Sequence, residues 1–489
     1  MTLRVSFTLT ALLLSGCAAP EEPAAEPASL STARQAMVVS DPSTHTSLPG
    51  LCKYPRTFNG VSGRIYHAPY SGCGNVRYSP LVVVLPAMGY DVGQYNDLLK
   101  HLAKNGFIAV SVDSRDNDAK GKAAIYAAED AIAFLDGVRT FWEKRNFIDH
   151  SNVGLIGHSR GGGSVLDLAQ NLEDPSHTWD VRAVMTMAPR YDDLAVDSSM
   201  SPALLALQGT DDGDMVPERS FELYDNSGSE GSAFFNGVDR AMKLFHDGNH
   251  ASFAQPGEFL DSHGEVGFEV TRGYALAFMA HHLQGDSTWY DGYIRGNEQP
   301  GAWPYAIDTQ FSDGVLRYVV DDGEHATVVP SLENLWASNT NLGNSSYTYH
   351  ETRAYAVMMT GSVGTMTWTV ADQNASYYQA LSLRIGQLGT GAVEDVEVSV
   401  RNDGRWSTLV RLTDHGRIAE LSAMCDFGTG STQCSAPNVE SRRHMATIRV
   451  PLTDLGPVDD LERVRLTFSG DAQGQTFYVD SVELAGWAP

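Results

Sequence analysis

The chain has 489 residues, 42 % of them hydrophobic, with 34 basic against 60 acidic side chains and a formal charge of −26. That length and apolar content supply two or three packed domains and exclude a disordered chain. The acidic balance excludes a protein built to neutralise nucleic-acid phosphates or to adhere to anionic lipid, and fits a solubilising surface.

The first residues read as a processing signal. Arg4 gives a positive start, and the apolar run Val5–Leu14 is shorter than the roughly 20 residues needed to span a bilayer. The run ends in Leu14-Ser15-Gly16-Cys17, which resembles a bacterial lipobox. The resemblance implies that Cys17 is the diacylated N-terminus of the mature protein. The chain is then held outside the cytoplasm, periplasmic or at the cell surface, through that lipid alone. Residues 18–45, rich in Ala, Pro and Glu at their start, read as a flexible tether. Four cysteines remain, Cys52, Cys73, Cys425 and Cys434. In an oxidising compartment local disulfides, Cys52 with Cys73 and Cys425 with Cys434, are favoured among the three connectivities.

Residues 46–300 alternate strand-like and helix-like segments. Leu81–Leu85 is continuously apolar, as in a strand buried on both faces. Helical spacing follows over Tyr95–Lys104, a strand over Phe107–Val112, and a long Ala-rich helix over Ala119–Arg145. Val153–Ile156 is a strand and Gly161–Asn171 a helix. Val181–Met187 and Ala203–Leu207 are strands, and Phe268–Leu283 is a last helix. This order predicts an α/β fold with a parallel sheet covered on both faces. In residues 305–489 helical periodicity gives way to short alternating segments such as Thr365–Val370, Ala380–Ile385, Val396–Val400 and Thr447–Val450. These predict an all-β sandwich.

The chemistry concentrates in Gly157-His158-Ser159-Arg160-Gly161-Gly162. The segment leaves a buried strand and opens a helix, the context a G-x-S-x-G nucleophile elbow requires. A tight turn there exposes the Ser159 hydroxyl and points the Arg160 N–H into the site as an oxyanion donor. His158 reads as packing beneath the elbow. A serine needs a base and an acid, in the chain order Ser, Asp, His. The strand Ala203–Leu207 runs into Gly209-Thr210-Asp211-Asp212-Gly213-Asp214. Asp212 is the first choice for the acid, with Asp214 and then Asp211 as alternatives. His250, in Gly248-Asn249-His250, is the base, with His246 as competitor. The second oxyanion donor falls in Pro86-Ala87-Met88-Gly89-Tyr90, from Met88 or Tyr90. Residues 218–238 are long enough to form a flap. No metal or organic cofactor is needed for acyl transfer of this kind.

On these pieces, residues 61–285 resemble α/β-hydrolases of the dienelactone-hydrolase, platelet-activating-factor-acetylhydrolase and cutinase-like polyester-hydrolase branch. The resemblance implies ester hydrolysis through an acyl-enzyme, and Ser159 stands where dienelactone hydrolases proper carry a cysteine. The strands Thr447–Leu452, Val464–Phe468 and Phe477–Val482 resemble the end of a galactose-binding-like jelly roll. That implies glycan as a partner and a structural Ca²⁺ in this domain, with Trp368 and Trp406 as sugar-stacking or core residues. The alternatives are a serine peptidase, a polysaccharide acetyl or feruloyl esterase, and a catalytically dead glycan-binding adhesin.

Overall fold

The computed structural model describes residues 40–489 except 75–76, 114–122, 144–146, 173, 175, 191–201, 213–219, 221–222, 225–238, 256–261, 313, 315–316, 322–329, 342–352, 389–392, 421, 426–438, 443–444 and 487–489. Cys17, Asp214, Cys434 and nearly all of 218–238 therefore lie outside the described residues. Among those described, no helix is long and apolar enough to cross a membrane.

A nine-stranded sheet organises the first part of the chain. Its strands are β1 (Cys52–Phe58), β2 (Val61–His67), β3 (Ser79–Leu85), β4 (Ile108–Val112), β5 (Ile148–His158), β6 (Val181–Met187), β7 (Ala203–Gly209), β8 (Arg240–Phe245) and β9 (Ile307–Ser312). Their spatial order is β1-β2-β4-β3-β5-β6-β7-β8-β9. From β4 to β8 every neighbouring pair is parallel. The two edges are antiparallel additions. The parallel centre follows from its sequence, because a strand covered on both faces can be apolar at every position. In β3, Val82 and Val84 enter one core, while Leu81, Val83 and Leu85 enter the other.

Helices α1 (Asn96–Lys104) and α4 (Ser262–Met279) cover the first face. Helices α2 (Ala123–Glu143) and α3 (Arg160–Leu172) lie on the opposite one. The hairpin β1–β2, not foreseen in the sequence, extends the sheet beyond β4 and is stapled by the Cys52–Cys73 disulfide. A link across 21 residues restricts the unfolded chain by about 3 kcal/mol on the chain-entropy argument.

Two expected boundaries move. Residues 40–45 are folded rather than tether: Ser43 is buried, and Trp289 Nε1 donates to the Ser40 carbonyl at 2.7 Å. Ile307–Ser312, expected in the sandwich, pairs along its length with β8 as the ninth strand of the first sheet. Beyond it, two antiparallel sheets enclose a single core. They carry, among others, Leu381, Ile448 and Val479 on one side and Trp368, Val398 and Leu466 on the other. Polar contacts join this part to β9. Thr447 Oγ1 accepts from the Phe311 N–H at 2.9 Å, and Arg384 donates to Gln310 at 2.6 Å and to Asp480 at 2.9 Å.

One buried acid is poorly compensated. Asp167, on α3, is buried and its Oδ2 has no hydrogen-bond partner. Burial raises its pKa to about 6 from the ordinary 3.8. The folded protein therefore holds a proton there that the unfolded chain has released, and stability falls as pH rises from about 4 through about 6. Asp167→Asn is expected to remove that fall. Melting curves across this range that run parallel for the variant and the wild type would contradict it.

Candidate active site

The parallel register places the C-terminal ends of β3, β5, β7 and β8 on one edge of the sheet. The described residues singled out for the triad, Ser159, Asp211, Asp212, His246 and His250, follow these strand ends. At the end of β5 the chain turns into α3 through Ser159, whose φ is 56°. A non-glycine residue in the left-handed region costs about 1–3 kcal/mol and persists only where its surroundings hold it. Here the Ser159 N–H donates to the Met187 carbonyl at 2.9 Å. The Ser159 carbonyl accepts from Gly162 and Arg190 N–H, each at 2.8 Å. The flanking glycines are steric requirements. A Cβ on Gly157 would lie 2.1 Å from the Gly161 carbonyl oxygen, and one on Gly161 would lie 2.3 Å from that of Leu85.

The acid and base loops meet in the same way. A Cβ on Gly209 would lie 2.1 Å from the Gly248 carbonyl oxygen, and the Asp211 N–H donates to that oxygen at 2.8 Å. This contact brings Asp212 to His250. His250 Nδ1 and Asp212 Oδ2 are 2.9 Å apart, with the Asp212 side chain fully buried. The Gln208 amide donates to the same oxygen at 3.3 Å, and Ser220 Oγ holds Gln208 by donating to its Oε1 at 2.8 Å. A carboxylate oxygen accepts, so Nδ1 carries the proton and Nε2 is the basic atom. Asp211 instead accepts from Thr210 Oγ1 at 3.2 Å. His246 is turned away from the site, its Nε2 2.7 Å from Asp308 on β9.

The oxyanion donors expected from the sequence are backbone N–H groups of two loops. The Arg160 N–H opens α3 and has no acceptor among the described residues, as expected of a first-turn donor at the positive end of a helix. Of the two donors expected from the β3 loop, the Tyr90 N–H donates to the Ala87 carbonyl at 3.0 Å and closes a turn. The Met88 N–H has no acceptor among the described residues, and its side chain is 46 % exposed. Ser159 is 6 % exposed, and its Oγ makes no hydrogen bond among the described residues. The Asp–His pair is thus made in this resting structure, whereas the Ser–His contact is not, a common state of such sites before substrate enters.

Three residues that sequence reasoning passed over hold this arrangement: Tyr95, Gln208 and Ser220. Tyr95 reads as a core aromatic, and only the fold shows its hydroxyl 2.8 Å from His158 Nδ1. His158 is fully buried beneath the elbow, as expected. His281 and His282 do end a helix, in the π turn Ala280–Gln284. With Asp239 they form the three-ligand group of metal spacing found among the described residues. That carboxylate already accepts from Tyr290 at 2.7 Å and lies 4.0 Å from Arg295. Trp368 is core, donating to Asp321 at 2.6 Å, and Trp406 lies under the Arg465 guanidinium at 3.5 Å. Trp368 is therefore not open as a sugar platform, and one face of the Trp406 indole is taken by Arg465.

No protein-family model matches the chain, and no curated protein matches it significantly. The site therefore stands on its own geometry. Two downfield imidazole N–H resonances are expected in proton NMR of the protein. Asp212→Ala should remove one, His246→Ala the other, and Asp211→Ala neither. Loss of the first signal in Asp211→Ala would move the acid assignment.

Proposed function

We propose that the chain is a serine hydrolase of the α/β-hydrolase type that cleaves carboxylic esters through an acyl-enzyme. The observation that carries this reading is the 2.9 Å Asp212–His250 pair, set on the same sheet edge as a strained Ser159 at a strand-to-helix turn. Nucleophile, acid and base leave β5, β7 and β8 in turn, the order expected for this fold.

In this mechanism Ser159 Oγ attacks the ester carbonyl while His250 Nε2 takes its proton. Asp212 fixes the tautomer and stabilises the imidazolium that forms. The oxyanion is met by the N–H groups of Arg160 and Met88, neither of which has an acceptor among the described residues. His250 then protonates the departing alcohol oxygen, and a water activated by the same imidazole releases the acid product. The steps move protons and an acyl group alone, so the residues named suffice without a metal or organic cofactor. Leu14-Ser15-Gly16-Cys17 supports a lipid-anchored location outside the cytoplasm.

Chromogenic esters from acetate to palmitate, a ferulate ester and a peptide anilide, assayed with wild type and Ser159→Ala together, test the reading. Turnover of an ester series is expected, with kcat reduced about four orders of magnitude or more in the variant. Preference for the anilide would favour a peptidase. Equal turnover by both proteins would remove Ser159 from the chemistry.

A further inference from the structure

A chain of polar groups, buried at Tyr95 and His158, runs behind the elbow and is not used by the steps above. The Ala87 N–H lies 3.1 Å from the Tyr95 hydroxyl, the hydroxyl 2.8 Å from His158 Nδ1, and His158 Nε2 3.0 Å from the His250 carbonyl oxygen. Tyr95 and His158 have no solvent exposure. Only one arrangement of protons satisfies all three contacts. A backbone N–H can only donate and a carbonyl can only accept. Ala87 therefore donates to the Tyr95 oxygen, Tyr95 donates to Nδ1, and the Nε2–H of His158 donates to His250.

We propose that His158 is a positioning residue, acting with Tyr95 to hold the oxyanion loop and the base loop in one fixed relation. The inference rests on the esterase reading and says how that site keeps its geometry. Both ends of the chain lie on working backbone. Ala87 precedes Met88, whose N–H faces the developing oxyanion in the mechanism, and the far end is the main chain of the base itself. A second tie joins the same two loops, where the Gln255 N–H donates to the Gln94 carbonyl at 2.8 Å. Gln94 lies in the 3₁₀ turn Val92–Tyr95, which is capped by Asp91 through the Gly93 N–H at 2.5 Å. Asp91 is in turn bridged by Arg64 at 3.4 Å. Tyr95 is thus delivered by a turn fixed at its own start.

Charge supports the same role. Tyr90, Tyr95, Phe253 and His250 surround the His158 ring, with His250 at 4.7 Å between ring centroids. Burial, reinforced by neighbouring His250, holds the His158 imidazole well below its usual range. Burial also holds the Tyr95 phenol well above its own. Both stay neutral while His250 gains and loses its proton, so the chain keeps its direction through the cycle. Filling this volume with apolar side chains would satisfy packing. Two buried polar groups are tolerated because every one of their hydrogen bonds is made.

Tyr95→Phe keeps the ring and deletes the link. The expected result is a fall of about 10- to 100-fold in kcat with KM changed less than about twofold and a melting temperature close to wild type. The rate at which a fluorophosphonate labels Ser159 should fall in parallel, which makes the result independent of the ester chosen. His158→Phe should lose a similar factor, and the double variant should be no slower than His158→Phe alone, because both substitutions cut one chain. Wild-type kcat and labelling in Tyr95→Phe, or losses that multiply in the double variant, would overturn the inference while leaving the esterase reading intact. A wild-type protein that neither cleaves esters nor labels at Ser159 would overturn the reading and the inference together. If His158→Phe does not fold, Tyr95→Phe decides alone.

Discussion

A side chain at Gly157 would place its Cβ 2.1 Å from the Gly161 carbonyl oxygen, and one at Gly161 would strike the end of β3. That backbone-on-backbone contact lets the chain pass from a buried strand to a helix around a single left-handed residue, Ser159. Once the turn is so tight, the rest follows. The first N–H of α3 is presented beside the serine, the β3 loop lies against it, and the neighbouring imidazole, His158, is driven under the sheet edge into full burial. A buried imidazole must find two partners, and it finds them in the other two loops of the site.

The parallel sheet was legible because burial on both faces leaves an unmistakable pattern, and the continuous apolar run of β3 is the clearest case. The elbow was legible because its glycines are sterically required and the serine needs a strand before it and a helix after it. What escaped the sequence was whatever depends on distant neighbours. The β1–β2 hairpin is polar on its exposed face and carries no continuous apolar run. Tyr95 looks like one more apolar face residue of a turn that leads into a helix. Tyr90 and Met88 are equal candidates until the turn between Ala87 and Tyr90 closes and consumes one of the two N–H groups.

The acid and base choices show the same division. Of the three aspartates within four residues, Asp212 is favoured in the sequence only by its offset of three from Gly209. Between the two described ones, the structure adds the approach of Gly209 to Gly248, which fixes the Asp211 backbone on the loop of His250 and leaves the next side chain, Asp212, to reach that imidazole. Its burial is made tolerable by two donors, His250 and Gln208, both of them locked in orientation. Of the two groups that react in the proposed mechanism, His250 is pinned at its ring by Asp212 and at its carbonyl by His158. The hydroxyl of Ser159 is pinned by nothing among the described residues, so the part of the triad with freedom to adjust is the small one.

His246 and His250 are four residues apart at one strand end, and each holds a carboxylate at hydrogen-bond distance. The sequence ranks His250 ahead of His246 but does not show where the second imidazole goes. The decision is made by β9, which returns from residue 307 to pair with β8 and sets Asp308 across from the end of that strand. Asp308 also meets Arg417, from the β-rich part of the chain, at 3.4 Å. Through Asp308 the second His–Asp pair is thus tied to the β-rich part of the fold. A β-rich segment that supplies the partner of β9 at Thr447 and the cation beside Asp308 is part of what shapes the edge of the nine-stranded sheet. That is a physical reason for the two halves to fold as one body, independent of any ligand the second half binds.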